Sequence, residues 1–339
     1  MQIDPGNPDR QYSCRDAHHI HRPVWLSMCA AMRTNRMGYT MHYSLLPTRL
    51  PRHHRGRAAL AAACVLTVSA LAFASGSATA GTSSGYVALG DSYTAGFGVQ
   101  PAAAGAPLDC VQSAANYPHL TAQAKGLTLT DVSCSGATVQ NMTTAQYLDQ
   151  PPQFNALTSD TSVVTLGIGG NDHNVFADAI AACYSADTFA APIDLGSPCK
   201  DMYGSTFSDA ITSDAPNIAA AIKQIHKLSP KAKVFVVGYL DVVPQSGSCY
   251  PQIPLTTGDT AYVNGIEQNL NSMLRTQAQA NGATFVDAFG PSIGHDACQS
   301  STVRWVDPGS GTTSPIHPNT AGEAAYSRLV ESAFSTAGI

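Results

Sequence analysis

With 339 residues and a formal charge of −5, the chain is long enough for one or two domains, but its charge is unevenly spread. Residues 1–57 hold nine of the 18 Lys and Arg and six of the 11 His, whereas residues 81–339 hold 9 Lys and Arg against 20 Asp and Glu, a formal net charge of −11. That acidic balance excludes nucleic acid and anionic membranes as electrostatic partners and leaves neutral lipids open.

Taken in chain order, residues 1–57 have no apolar periodicity and read as a non-globular extension ending in Arg52-His-His-Arg-Gly-Arg57. The alanine-rich apolar stretch Ala58 to Ala74 follows, and then Ala78-Thr79-Ala80, a small-x-small cleavage signal. Residues 58–80 are therefore expected to be the apolar core and cleavage site of a secretory signal peptide cut after Ala80, its basic n-region lying within 1–57 and Met37 or Met41 being the true start, leaving 81–339 as one secreted, extracellular domain. A transmembrane anchor is the competing reading, but the run is at the short end for a span. Cys64 lies inside the run rather than after it, which does not suit a lipid anchor.

Beyond residue 80, apolar runs predict strands near 86–90, 127–132, 162–167, 233–239 and 283–288. Helical periodicity predicts helices near 113–125, 172–183, 206–228, 260–281 and 318–335. This alternation implies an α/β fold, a three-layer α/β/α sandwich around a central, mostly five-stranded parallel sheet. Segments 184–205 and 240–259, rich in Pro, Gly and Ser, read as long loops stapled by cysteines and expected to wall the site.

The apolar run Val87-Ala88-Leu89 suits a strand covered on both faces, and Gly90 permits a tight turn into Asp91-Ser92. A serine there sits where open α/β sheets keep their ligands, at a helix start whose N–H groups favour an anion. Read alone, Asp91 or Ser92 would simply cap that helix. Three further segments change the weighing. Ser133-Cys134-Ser135-Gly136 follows the second strand, Gly167-Ile-Gly-Gly-Asn-Asp172 follows the third, and Ser314-Pro-Ile-His317-Pro-Asn-Thr-Ala-Gly opens the final helix. Ser92, Gly136, Asn171 and His317, in that chain order, resemble the four blocks of the SGNH (GDSL) hydrolase family, from about residue 86 to the end.

The resemblance implies a flavodoxin-like SGNH fold and a metal-free, cofactor-free serine ester hydrolase that works through an acyl-enzyme. Carried onto this chain, it makes Ser92 the nucleophile and His317 the base. The N–H groups of Ser92 and Gly136 and the side-chain amide of Asn171 then form the oxyanion hole. For Gly136 and Asn171 the competing reading is turn chemistry, since both residue types are favoured after strands. His119, His173, His226 and His295 carry no comparable context.

Most family members have an aspartate three residues before the histidine; here that position is Ser314, and the next carboxylate upstream is Asp307. A Ser92–His317 dyad is therefore expected, oriented by the backbone carbonyl at or next to Ser314, with Asp307 as the alternative. A rival nucleophile, Ser292 in Gly290-Pro-Ser-Ile-Gly294, matches the G-x-S-x-G elbow but lacks a following helix pattern and reads as a turn.

Six cysteines remain beyond the signal segment, and on their own they allow fifteen pairings. A zinc site competes, but there is no Cys-x-x-Cys and no paired His spacing. Similarity to secreted actinobacterial members implies the sequential bridges Cys110–Cys134, Cys183–Cys199 and Cys249–Cys298. Ser197-Pro-Cys-Lys-Asp201, Gly294-His-Asp-Ala-Cys298 and His317-Pro-Asn319 sharpen the resemblance toward secreted actinobacterial lipases, implying a monomeric triacylglycerol lipase or lipid esterase with an ester or lipid substrate, no nucleic acid and no stable membrane anchor. A phospholipase A or carbohydrate deacetylase on the same fold is the alternative among enzymes. Outside enzymes, a non-catalytic secreted binding module competes, and it would have no need of all four blocks.

Overall fold

A computed structural model describes residues 85–309 and 311–339; the expected extension, signal segment and Ala80 cleavage site lie outside the described residues. Five strands run parallel in the order β2-β1-β3-β4-β5: β1 (Gly85–Gly90), β2 (Thr128–Asp131), β3 (Thr161–Gly167), β4 (Lys233–Val237) and β5 (Thr284–Val286). The helices are α1 (Ser92–Ala95), α2 (Tyr117–Lys125), α3 (Val175–Ala186), α4 (Pro198–Tyr203), α5 (Thr206–Leu228), α6 (Thr257–Ala280), α7 (Phe289–Ser292) and α8 (Thr320–Thr336). Helix α2 packs on α8 and α5 on α6, and these pairs form the outer layers of the α/β/α sandwich. No helix among the described residues is long and apolar enough to cross a membrane.

The buried sheet centre follows from an apolar, mostly β-branched sequence. Val163, Val164 and Leu166 of β3 and Val234, Val236 and Val237 of β4 are all buried, as parallel strands covered on both faces require. Each such side chain contributes about 1.5–3 kcal/mol on leaving water. Helix starts follow caps that override raw periodicity. Helix α2 starts at Tyr117 rather than near 113 because Asn116 accepts the His119 N–H at 3.1 Å. Helix α6 starts at Thr257 because Thr256 accepts the Asp259 N–H. Helix α3 starts late, at Val175, because His173 (φ 52°) and Asn174 (φ 55°) are left-handed.

The chain leaves β1 for β2 on one side and returns to β3 on the other, so the crevice between the carboxyl ends of β1 and β3 is the switch point of the sheet. All three expected disulfides are formed, with Cα–Cα distances of 4.2, 4.9 and 5.5 Å. They close loops of 24, 16 and 49 residues, each contributing about 3–4 kcal/mol by restricting the unfolded chain. Every bridged cysteine lies in a segment that follows the carboxyl end of a strand.

One expectation is corrected. Segment 184–205 is not a plain loop, since it carries the end of α3, a 3-10 turn at Ala191–Ile193 and α4.

Candidate active site

Ser92 is the first residue of α1, buried at the end of β1, where its N–H has no intrahelical acceptor. Three contacts fix the turn before it. Gln153 clamps Gly90 with both ends of its amide, accepting from the N–H at 2.8 Å and donating to the carbonyl at 2.9 Å. Asp91 donates its N–H to the Gly167 carbonyl at 3.0 Å, joining the ends of β1 and β3. The Asp91 carboxylate accepts the Tyr93 N–H at 3.0 Å and a short hydrogen bond from the Tyr239 hydroxyl. Burial pushes the Asp91 carboxyl up to about 7, although both hydrogen bonds oppose the shift. Tyr239 in turn accepts the Gly170 N–H at 2.9 Å, so one phenol ties the first block to the third.

His317 Nε2 lies 2.8 Å from Ser92 Oγ, across 225 residues of sequence. Its Nδ1 lies 2.8 Å from the Pro315 carbonyl. A carbonyl can only accept, so Nδ1 carries the proton and Nε2 of the neutral ring is left to accept from the serine hydroxyl. The ring packs between Tyr93 and Phe97, with centroids 5.1 and 4.8 Å away. Burial lowers the His317 pKa from its ordinary value, and the Pro315 bond only partly offsets this.

The segment before His317 is strained. Ile316 holds φ at 59°, unusual for a β-branched residue, while its carbonyl accepts from Tyr93 Oη at 2.8 Å and its N–H bonds to the Asp307 carbonyl at 2.9 Å. Of the carbonyls expected at or next to Ser314, the one that meets the ring is that of Pro315, and the alternative, Asp307, is not used. The Ser314 carbonyl accepts the backbone N–H of His317 at 3.0 Å, so it closes the turn, and the ring nitrogen meets Pro315 instead. Asp307 is occupied elsewhere: it accepts from Arg304 Nε at 3.1 Å, Ser314 Oγ at 2.8 Å and Asn319 Nδ2 at 3.3 Å, bracing the loop without touching the imidazole.

The other two blocks converge on the same crevice. Cys134 N–H bonds to the Gly90 carbonyl at 3.0 Å, which brings Gly136 (φ 78°) beside the end of β1, and the Gly136 N–H bonds to no described residue. Asn171 Nδ2 donates to the Ala137 carbonyl at 3.1 Å, which fixes the amide and leaves its second N–H free to serve a ligand. Asp172 accepts the Val139 N–H at 2.9 and 3.2 Å, a further tie between the second and third blocks. His173, two residues past Asn171, has its Nε2 4.0 Å from Asp214.

Next to Ser92 and His317 opens a cavity of about 300 Å³. Phe176, Ile180, Ala181 and Tyr184 of α3 line one side, with Tyr239 and Ile316 completing it. The expected walls are thus corrected: segment 184–205 supplies only Tyr184, segment 240–259 supplies none of the lining, and the wall is mainly α3. A mostly apolar chamber of this size suits an acyl chain or another lipophilic group. Among the described residues no cluster of His, Cys, Asp or Glu could hold a metal ion.

Residues 88–325 match the profile of the GDSL-like lipase/acylhydrolase family. The chain belongs to that family. Its GDSL-like hydrolase domain is similar to Lipase 2 of Streptomyces coelicolor, 41% identical over 259 residues that cover 75% of this chain and 86% of the relative. Lipase 1 of the same organism is 30% identical, covering 78% and 91%. Among solved structures, the extracellular lipase of Streptomyces rimosus superposes with a TM-score of 0.62 at 25% identity, covering 74% of this chain and 99% of that one. The phospholipase A1 of Streptomyces albidoflavus superposes at 0.61 with 29% identity, covering the same shares. The GDSL-like hydrolase is therefore a carboxylic ester hydrolase of the lipase/esterase kind.

Two supporting residues of this GDSL-like hydrolase escape sequence reading. Tyr239 carried one signal, its position directly after the β4 run and Gly238, but nothing local says that its hydroxyl reaches Asp91. Gln153 carried none, since its amide meets Gly90 only through the fold.

Proposed function

We propose that the chain is an exported, monomeric lipase acting on lipid esters, triacylglycerols above all, with Ser92 as nucleophile and His317 as base. The observation that carries this reading is the 2.8 Å approach of His317 Nε2 to Ser92 Oγ beside an apolar cavity. His317 takes the hydroxyl proton as Ser92 attacks the ester carbonyl. The developing oxyanion is met by the N–H groups of Ser92 and Gly136 and the free N–H of Asn171. His317 returns the proton to the departing alcohol, and water then repeats the sequence on the acyl-serine. The Pro315 carbonyl holds the ring in the productive tautomer and stabilises the imidazolium as it forms.

A phospholipase A reading has support of its own in the likeness to a phospholipase A1. Hydrolysis rates on triolein, phosphatidylcholine, acetylated xylan and p-nitrophenyl esters from acetate to palmitate separate the readings. Triolein should be the best substrate, and a preference for acetylated xylan would overturn the lipid assignment.

Three further results are expected. Asn171→Ala should lower kcat by about 10²–10³-fold with a smaller change in KM, the usual cost of one oxyanion donor. A loss confined to KM would mean that Asn171 binds substrate instead. Asp307→Asn should keep kcat within about tenfold of the parent, because Asp307 does not touch the ring; a triad aspartate replaced by asparagine costs about 10⁴ in the serine-protease example. The acid limb of kcat/KM should fall below the ordinary imidazole value of about 6.5. The base works neutral, and burial holds it neutral to lower pH. A midpoint above 7 would require a carboxylate partner for His317.

A further inference from the structure

Among the described residues, exposed large apolar side chains are confined to the segments that follow the carboxyl ends of strands; the long helices α2, α5, α6 and α8 show none. Four of them fall in one stretch, directly after the pocket wall: Phe189 (89% exposed), Ile193 (70%), Leu195 (64%) and Met202 (67%). The stretch is firmly tied down. Cys183–Cys199 bridges it, Asp187 accepts the Thr256 N–H at 2.8 Å, and Asp194 accepts the Thr257 N–H at 2.6 Å. Asp259 accepts the N–H groups of Cys199 and Lys200, both at 2.8 Å. Four large apolar groups held in water on a fixed frame cost free energy unless a partner covers them. The stretch is fastened to the cavity wall itself: the Cys183–Cys199 bridge joins it to α3 at the residue before Tyr184, which lines the cavity, and α4 packs on α3.

Charge selects the partner. Segments 91–116, 132–160, 168–205, 238–256 and 287–319 hold 13 Asp and no Glu against Lys200 and Arg304 alone, and with Asp91, Asp172, Asp187, Asp241 and Asp296 buried, eight of the carboxylates remain toward solvent. An anionic surface would be repelled by this face of the sheet. We propose that Phe189, Ile193, Leu195 and Met202 form an anchor that seats the enzyme on an electrically neutral lipid surface, next to the cavity from which it would draw its substrate. The role of the docked enzyme rests on the lipid-ester reading; the docking itself does not.

The test uses the Ser92→Ala chain, which cannot consume its probe, and sedimentation with sucrose-loaded vesicles of phosphatidylcholine. The parent should co-sediment, and less so when phosphatidylglycerol is mixed in. Phe189→Ser with Leu195→Ser should weaken partitioning about a hundredfold, roughly tenfold for each side chain withdrawn from apolar contact. In the active chain the same pair should leave kcat/KM on p-nitrophenyl acetate within twofold. Ile193→Ser with Met202→Gln is the second pair, should the first lower the melting temperature. Unchanged partitioning in both pairs overturns the proposal. So does a dimer seen by light scattering that these variants dissolve while the parent ignores vesicles, since a second copy would then be the partner. Vesicle binding without hydrolysis of any lipid would sink the substrate reading and leave the anchor standing.

Discussion

Replacing Ser92 by alanine should lower kcat by about 10⁶-fold on every ester the enzyme hydrolyses, the scale seen when a serine nucleophile is removed from a comparable site. Replacing Ser292, the other serine in a nucleophile-like motif, should leave kcat per folded molecule near the parent value. The two serines differ in what their hydroxyls meet. Ser92 Oγ faces His317 at 2.8 Å and lines the cavity. Ser292 is fully buried in α7, accepts the Asp241 N–H at 2.7 Å and donates to the Phe289 carbonyl at 2.8 Å. Its loss strands a buried N–H and costs about 1–3 kcal/mol of stability, with no step of catalysis touched. Burst kinetics and thermal melts on both variants check this. A folded Ser292→Ala enzyme without activity would overturn the assignment of Ser92.

Gly90→Ala should lower activity at least about 10²-fold and cost roughly 3 kcal/mol of stability. A methyl group on Gly90 would come within 2.2 Å of Thr94 Oγ1 and 2.6 Å of the Gly167 carbonyl. On the neighbouring strand, a methyl group on Gly167 would come within 2.4 Å of the same Thr94 Oγ1. The two glycines thus leave one shared notch that the threonine fills. Overpacking of this kind costs 1–3 kcal/mol or more, and a nucleophile displaced by about 1 Å can cost 10²-fold in rate. Thr94→Ala introduced beside Gly90→Ala removes the Oγ1 contact but leaves the residue-94 Cβ and the Gly167 carbonyl, both 2.6 Å away, so it should restore only part of the stability and little of the activity. Melting temperatures and kcat for the single and double variants test this, and full recovery in the double variant would show that the Gly167 carbonyl can yield.

What could be read from sequence was what the chain writes locally. The central strands β1, β3 and β4 are built on apolar runs, the edge strand β2 alternates Thr with Leu, and α5 is a long amphipathic repeat; all appear where periodicity puts them. Ser92, Gly136, Asn171 and His317 were legible because each sits in a short block beside a strand or helix end, where the turn itself needs distinctive residues. Supports that act across the fold were not legible. Gln153 reaches Gly90 over 63 residues, and Tyr239 reaches Asp91 over 148. The support of the imidazole was legible only to within a residue, because Ser314 and Pro315 both offer carbonyls and only the left-handed turn at Ile316 decides which one the ring meets. The cavity wall was assigned to the wrong segments for a similar reason. Val175–Ala186 reads as a helix, but its own sequence does not say which face turns toward Ser92.

Segment 175–205, which begins beyond Asn171, contains Phe176, Ile180, Ala181 and Tyr184 of the cavity wall, has a disulfide internal to itself and ends where α5 begins. The proposed nucleophile Ser92, base His317 and oxyanion residues Gly136 and Asn171 all lie outside it. Much of the apolar lining of the chamber is thereby a cassette, separable from the proposed chemical apparatus in the way an antibody loop is separable from its framework. Exchanging this stretch would alter the shape offered to an acyl chain while leaving the proposed proton path between Ser92 and His317 intact.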